Sequence, residues 1–252
     1  MLSIRCPFAS VELADDLSLS INGKQWEPID RVISEMCEVA YDLPGIAKIP
    51  KDTVCYRMFR GVIEGREGEV FHKAGVRFDI TAMADLPLGQ ELNKTLGHYH
   101  PAIVNGLSFP EIYQVIHGNA VYLLQKKEEG GSGMRLTDFV TVKAQKGDAL
   151  LIPPNYGHVT VNVGPGPLLM ANLVSDCFSS LYEEYIAKRG AAYYLLKENR
   201  LVHNTNYADP PKPRSSNPNF AVRKDLFTDF ISSTSSFSCL NHPEELGNSL
   251  LP

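Results

Sequence analysis

Gly97-His98-Tyr99-His100, followed by Glu111 and, 47 positions after that glutamate, by His158, is the stretch on which the fold of this chain turns. Three imidazoles and one carboxylate make the ligand set of a catalytic transition-metal site that keeps coordination positions open. Along a strand successive side chains point to opposite faces, so His98 and His100 share one face and Tyr99 takes the other. Their Cα atoms then lie about 6.6 Å apart, and two rings can converge on one ion at about 2.1 Å each. Glu111 opens Glu-Ile-Tyr-Gln-Val-Ile-His-Gly118, whose alternation predicts a neighbouring strand. His158 follows the turn Pro153-Pro154-Asn155-Tyr156-Gly157 and starts another alternating run that ends at Asn162. One strand histidine is commonly structural, and His-x-His alone says little. Four candidate ligands, each beside turn residues, say more.

The order of these residues resembles the double motif of cupins. Glu111 is followed by six residues and Gly118, as the first cupin motif asks. Gly147, Pro153, His158 and Asn162 fit the second, with five, four and three residues between them. The chain departs from the pattern in three places. Ten residues separate His100 from Glu111, where three or four are usual. The opening glycine is displaced, with Gly89 nine positions before His98. Asn155 stands where glycine is common, a mild change because asparagine tolerates a left-handed turn. The first two departures predict an enlarged or altered loop at the mouth of the site.

A narrower resemblance covers roughly residues 50 to 200. Lys94-Thr-Leu-Gly-His-Tyr-His-Pro101, Pro110-Glu-Ile-Tyr113 and Pro153-Pro-Asn-Tyr-Gly-His158-Val-Thr-Val-Asn162 resemble the archaeal-type, metal-dependent glucose-6-phosphate isomerases. That resemblance implies an all-β fold, the cupin double-stranded β-helix or jelly-roll barrel, with helical or irregular additions at both ends. It implies one divalent metal per chain on His98, His100, Glu111 and His158, with Fe(II) favoured and Mn(II), Ni(II) or Zn(II) possible. The implied substrate is a phosphorylated hexose, D-glucose 6-phosphate or D-fructose 6-phosphate, and the implied assembly is a homodimer. Glu111, Tyr113 and His100 are the candidate catalytic groups. Glu111 is either the base or only a ligand. Tyr113 shares its strand face, and its hydroxyl either meets the sugar or merely lines the barrel. Thr81, Thr95 and Gly97 match the phosphate contacts of the family. Tyr56 is the candidate on an early strand, and Tyr182 or Tyr185 the candidate on a late helix. Lys94 alternates away from Thr95 and is expected in solvent, Tyr99 in packing. His117 is expected to be structural or solvent-facing. His72, His203 and His242 fit no pattern.

Composition agrees with a globular enzyme. The chain has 252 residues, 44% hydrophobic and 21% charged, and a net charge of −5. That leaves no basic footprint for nucleic acid, and no apolar run approaches the ~20 residues of a membrane helix. Cys6, Cys37, Cys55, Cys177 and Cys239 are odd in number and scattered, so free thiols in a reducing cytoplasm are expected. The N-terminus carries no apolar core of a secretion signal, which points the same way.

Three regions are expected: an N-terminal extension over 1–50, the cupin domain over 51–203, and a Pro- and Ser-rich tail over 204–252. A helix is predicted over Asp30–Tyr41 with Asp30 as its cap. Strands are predicted at Val54–Arg60, Glu69–Lys73, Arg77–Met83, Ala120–Gln125, Phe139–Ala144, Ala149–Ile152, His158–Val163 and Leu168–Val174, with glycine-rich breaks at Gly130–Gly133 and Gly164–Pro167. Ser179–Arg189 reads as a helix, Ala192–Leu196 with Arg200–His203 as a hairpin, and Leu226–Ile231 as a short helix. The tail is expected to wrap the barrel or a partner subunit, or to be mobile. Two other classes share a cupin metal site, an Fe(II) dioxygenase and a non-catalytic sugar-phosphate binder. The threonines and tyrosines matched above favour a polar, phosphorylated ligand over the first, and the intact ligand set favours catalysis over the second.

Overall fold

A computed structural model describes residues 1–128 and 135–246. The Gly130–Gly133 break predicted from sequence lies outside them. Two antiparallel sheets face each other. The larger has six strands in the order Ala149–Ile152, Glu111–His117, Leu168–Ser175, Val76–Met83, Val54–Phe59 and Ile29–Val32. The smaller has Tyr156–Asn162, Asn119–Lys127 and Leu136–Gln145, joined at its far edge by a parallel strand, Arg214–Ser216. From Glu111 onward the chain passes back and forth between the sheets, the winding of a double-stranded β-helix. The all-β cupin architecture expected from the motifs is the fold observed.

The core has three layers. Between the sheets lie Met83, Val115, Tyr122, Val140, Leu150 and Met170. Behind the six-stranded sheet, an N-terminal four-stranded sheet (Leu2–Gln25) and the tail helix Leu226–Ser232 bury Phe59, Phe78, Ile80, Phe230 and Phe237. Behind the smaller sheet, Tyr185, Leu195 and Tyr207 cover Phe139 and Val161. A fully buried side chain of this size contributes about 1.5–3 kcal/mol, so covering both outer faces adds substantially to the barrel. It also explains why Leu168–Ser175 is buried along its whole length instead of alternating with solvent.

Several elements differ from the sequence expectation. Glu69–Lys73 is the end of a helix, Gly65–Lys73, with Phe71 buried and Lys73 reaching Glu69 one turn back. Its β-branched and aromatic residues suggested a strand, but helical spacing puts the buried one inward. The long helix over Asp30–Tyr41 does not form. Ile29–Val32 pairs with Val54–Phe59 at the edge of the larger sheet, and the helix shrinks to Ile33–Met36, its first turn closed by Glu35 bonding back to the Val32 N–H. The late helix contracts to Glu183–Ala187. The hairpin Tyr193–Leu196 with Arg200–His203 forms, as does the tail helix. The tail lies on the barrel: Phe220 N–H donates to Ala149 and Leu151 N–H to Asn219, so it runs from the edge of one sheet to the edge of the other. Among the described residues no helix is long and apolar enough to cross a membrane.

Candidate metal centre

Four side chains from three parts of the chain meet between the sheets. The segment 93–98 runs beside Tyr156–Asn162 and is bonded to it at both ends. His98 and His158 exchange backbone hydrogen bonds at 3.3 and 3.1 Å, and Asn162 N–H donates to Asn93 at 2.8 Å. Glu111 enters from the opposite sheet, at the start of its strand. One ligand atom from each of His98, His100, Glu111 and His158 lies within 4.8 Å of the others. The Nε2 atoms of His98 and His100 are 3.2 Å apart, and Glu111 Oε2 is 3.4 Å from His100 Nε2 and 3.3 Å from His158 Nε2.

The surroundings aim these atoms at one another. His100 Nδ1 donates to the Phe109 carbonyl at 2.8 Å, which leaves the Nε2 lone pair for the cluster. Asn172 donates to Glu111 Oε1 at 2.6 Å, while the buried Oε2 has no hydrogen bond. Burial, reinforced by the imidazoles of His158 and His100, holds His98 well below the ordinary histidine range, and burial lowers His158 as well. Burial alone would raise the Glu111 pKa, but the facing rings of His100 and His158 outweigh it and hold the group as a carboxylate. Imidazole nitrogens converging on a carboxylate oxygen with no hydrogen bond of its own are a donor set that fits a divalent cation.

His98, His100 and Glu111 line a cavity of about 370 Å³, within the range of small-molecule sites. Thr81, Thr95, Gly97, Tyr56, Tyr113 and Tyr182 all line it. Thr95 Oγ1 accepts the Thr160 N–H at 2.9 Å, and a hydroxyl that accepts still has its hydrogen to donate. Tyr56 OH accepts the Leu96 N–H at 3.1 Å and so braces the same segment. Gly97 has φ +88°, and a Cβ there would fall 2.5 Å from the Tyr185 ring and 2.7 Å from Val159, so no larger residue fits. The Tyr113 hydroxyl is 3.3 Å from His158 Nε2. Burial, then the Glu111 charge, pushes its pKa well up, so it stays protonated. Tyr182 faces the cavity, its ring 5.4 Å from that of His98, whereas Tyr185 packs behind Gly97 against Tyr99.

Lys94 corrects the sequence expectation. It is buried, ion-paired with Glu91 and bonded to the Val39 carbonyl at 2.7 Å. Strand alternation did turn it away from Thr95, but that side is covered by residues 39–41 rather than by water. His117 closes its strand outside the cavity, half-buried. The long loop after His100 folds into a hairpin, Ala102–Val104 with Leu107–Ser108. Asn155, at φ +69°, pins it by exchanging hydrogen bonds with Ser108 at 2.7 and 2.9 Å. The loop thereby supplies Phe109, whose carbonyl orients His100.

The family model for glucose-6-phosphate isomerase matches residues 37–212, a span that holds all four residues of the cluster. The chain belongs to the glucose-6-phosphate isomerase family. Among curated relatives, the glucose-6-phosphate isomerase of Pyrococcus furiosus is 26% identical over 152 residues, 60% of this chain and 70% of that one. The Thermococcus litoralis isomerase is 26% identical over 151 residues, with the same coverage. Among solved structures, Bacillus subtilis oxalate decarboxylase aligns with 50% of this chain and 27% of its own length, at 17% identity and a TM-score of 0.33.

Motif reading of the isomerase passed over four residues beside the cluster: Arg60, Arg77, Asp79 and Asn172. Cross-strand register places the last three in the rows of Glu111 and Tyr113, and Arg60 follows the strand Val54–Phe59. Asn172 and Asp79 lie opposite Tyr113 in turn, and Arg77 lies opposite Val174, itself opposite Glu111. The signal was present in Arg77-Phe-Asp-Ile-Thr81, where alternation puts two charged residues on the same face as the candidate Thr81.

Proposed function

We propose that this protein is a metal-dependent aldose–ketose isomerase that interconverts D-glucose 6-phosphate and D-fructose 6-phosphate. One observation carries this reading: a three-histidine, one-glutamate cluster presents His98, His100 and Glu111 to a cavity that is also lined by Thr81, Thr95 and Gly97. His98, His100, Glu111 and His158 hold one divalent ion, with Fe(II) favoured and Mn(II), Ni(II) and Zn(II) suited to the same donors. When bound, the ion supplies Lewis-acid polarisation of the sugar oxygens. Thr81, Thr95 and the Gly97 N–H, with Tyr56 and Tyr182, hold the 6-phosphate through hydroxyl and amide donors.

Among the described residues lining the cavity, Glu111 is the only carboxylate. It is therefore the group that carries a proton between C2 and C1. Asn172 holds its Oε1, and Oε2 faces His100 and His158. The protonated Tyr113 hydroxyl donates to a sugar oxygen. Residues 51–203 are the catalytic unit, flanked by 1–50 and 204–252. Five free cysteines suit a reducing cytoplasm, and the family resemblance supports a homodimer.

The test is conversion of fructose 6-phosphate to glucose 6-phosphate by purified protein, with and without EDTA, then with Fe(II), Mn(II), Ni(II) or Zn(II) restored. Activity lost to the chelator and regained with metal is expected. No turnover with any metal, at one bound ion per chain, would overturn the isomerase reading. His158→Ala should lose metal and activity together. Thr95→Ala should raise KM for the phosphorylated sugar more than for free fructose, and an equal effect on both would remove Thr95 from the phosphate site. Turnover in deuterium oxide should bring solvent deuterium onto C1 or C2. A complete absence of label would make Glu111 a ligand alone.

A further inference from the structure

One wall of the cavity is cationic. Arg60 and Arg77 both line it. Behind them Asp79 is fully buried and lies outside the lining. Its Oδ2 accepts Arg60 Nη1 at 2.6 Å, its two oxygens share Arg77 Nε at 2.8 Å, and the Gly61 N–H adds a bond at 2.9 Å. The carboxylate thus holds both guanidiniums from the rear. It balances one of them, and the second positive charge faces the cavity, on whose lining Glu111 is the one carboxylate among the described residues. The Nη groups of Arg77 are not used by Asp79.

Register sets this wall at the reacting end of the pocket. Arg77 shares the cross-strand row of Glu111, and Asp79 that of Tyr113. Thr81 stands a further two residues along the strand, in the row of Met170 and Met58, away from Glu111. The charge of Arg60 also acts on Glu111 and Tyr113. An anion meets these arginines close to the metal ligands, not at the threonines.

We infer that Arg60 and Arg77 contact the substrate and stabilise the oxyanion that develops on the C1 and C2 oxygens, with Asp79 as the residue that positions them. This rests on the isomerase reading. When the C2 proton passes to Glu111, its electron pair forms the C1–C2 double bond and the C1 carbonyl pair moves onto O1. The O2 hydroxyl proton then passes to O1, the O2 pair forms the C2 carbonyl, and the double-bond pair takes the proton back from Glu111 at C1. A preorganised guanidinium next to the oxygen that gains charge acts more on the transition state than on the sugar.

The test compares two probes by calorimetry on the metal-loaded protein: a five-carbon aldonate 5-phosphate, whose carboxylate mimics the anion, and the alditol 5-phosphate without it. The wild type should prefer the aldonate. Arg60→Gln and Arg77→Gln should each cut that preference about tenfold, the scale of one charge-assisted hydrogen bond, with alditol affinity nearly unchanged. Arg60→Lys should recover part of it, and in turnover the glutamine variants should lose kcat more than KM. Equal weakening of both probes would give the arginines to the phosphate, and no weakening would make them structural. Either result overturns the inference. Discrimination through the arginines without turnover would instead sink the isomerase reading and leave the anion wall standing.

Discussion

Lys94 with Glu91, and Arg60 with Asp79 and Arg77, are two groups of buried charge that differ in what surrounds them. The lysine and glutamate side chains are 3% and 1% exposed. Each is also bonded to main chain, Lys94 to the Val39 carbonyl and Glu91 to the Tyr41 N–H. Burial pulls the lysine pKa down and the glutamate pKa up, in spite of their mutual attraction. The pair is neutral as a whole and sealed. In the second group only Asp79 is sealed, while Arg60 and Arg77 are 33% and 29% exposed and one charge is unmatched. A closed pair fixes the 39–41 segment against the start of the ligand-bearing segment. An open, unbalanced group has field left over for a ligand. Both look alike in sequence, as charged residues near apolar runs, and only their surroundings separate structure from chemistry.

The contrast can be broken first at the sealed pair. Lys94→Met should cost about 3–5 kcal/mol in urea unfolding, because it leaves Glu91 buried and unpaired. The double variant Glu91→Leu, Lys94→Met should recover most of that loss. Failure to recover would mean that the bonds to residues 39–41, not the uncompensated charge, dominate. Asp79→Asn comes next, at about 2–3 kcal/mol, from weaker bonds to the two guanidiniums. Arg77→Gln should stay within about 1 kcal/mol, as for a partly solvated pair. A loss as large as that of Lys94→Met would erase the distinction between the two groups.

The smallest effect concerns a third, more solvated pair that holds the tail. Arg214 and the Tyr156 hydroxyl both bond to Asp138. Burial raises the Asp138 pKa, but these bonds outweigh it and the net shift is downward. A carboxyl lowered in the folded state contributes stability above its ordinary value of 3.8, and that contribution is lost as pH falls below it. Limited proteolysis of the tail should therefore quicken below about pH 4 in the wild type. Asp138→Asn should cleave at one rate across the same range, and an unchanged pH response in that variant would place the sensitive group elsewhere.

The cluster of His98, His100, Glu111 and His158 was legible because strand alternation and motif spacing are local properties. His98 and His100 needed only an extended backbone, and Glu111 and His158 only a strand start after a turn. The same logic found the strands around the site, though it misjudged Glu69–Lys73, where a strand-like composition sits on a helix.

What the sequence carried by itself was the set His98, His100, Glu111 and His158, read from side-chain period and turn chemistry, and, through its resemblance to cupins and cupin isomerases, the two-sheet winding and the place of Gly97 in the site. What tertiary structure decided was which covered faces were covered by what. Lys94 leaves the strand on the side that residues 39–41 close. Tyr182 rather than Tyr185 reaches the cavity because the helix is short and Tyr182 sits at its start. Arg60 and Arg77 become a wall because Asp79, two residues beyond Arg77 in the chain, sits behind both. Such contacts depend on register between strands far apart in sequence, and no local pattern encodes register.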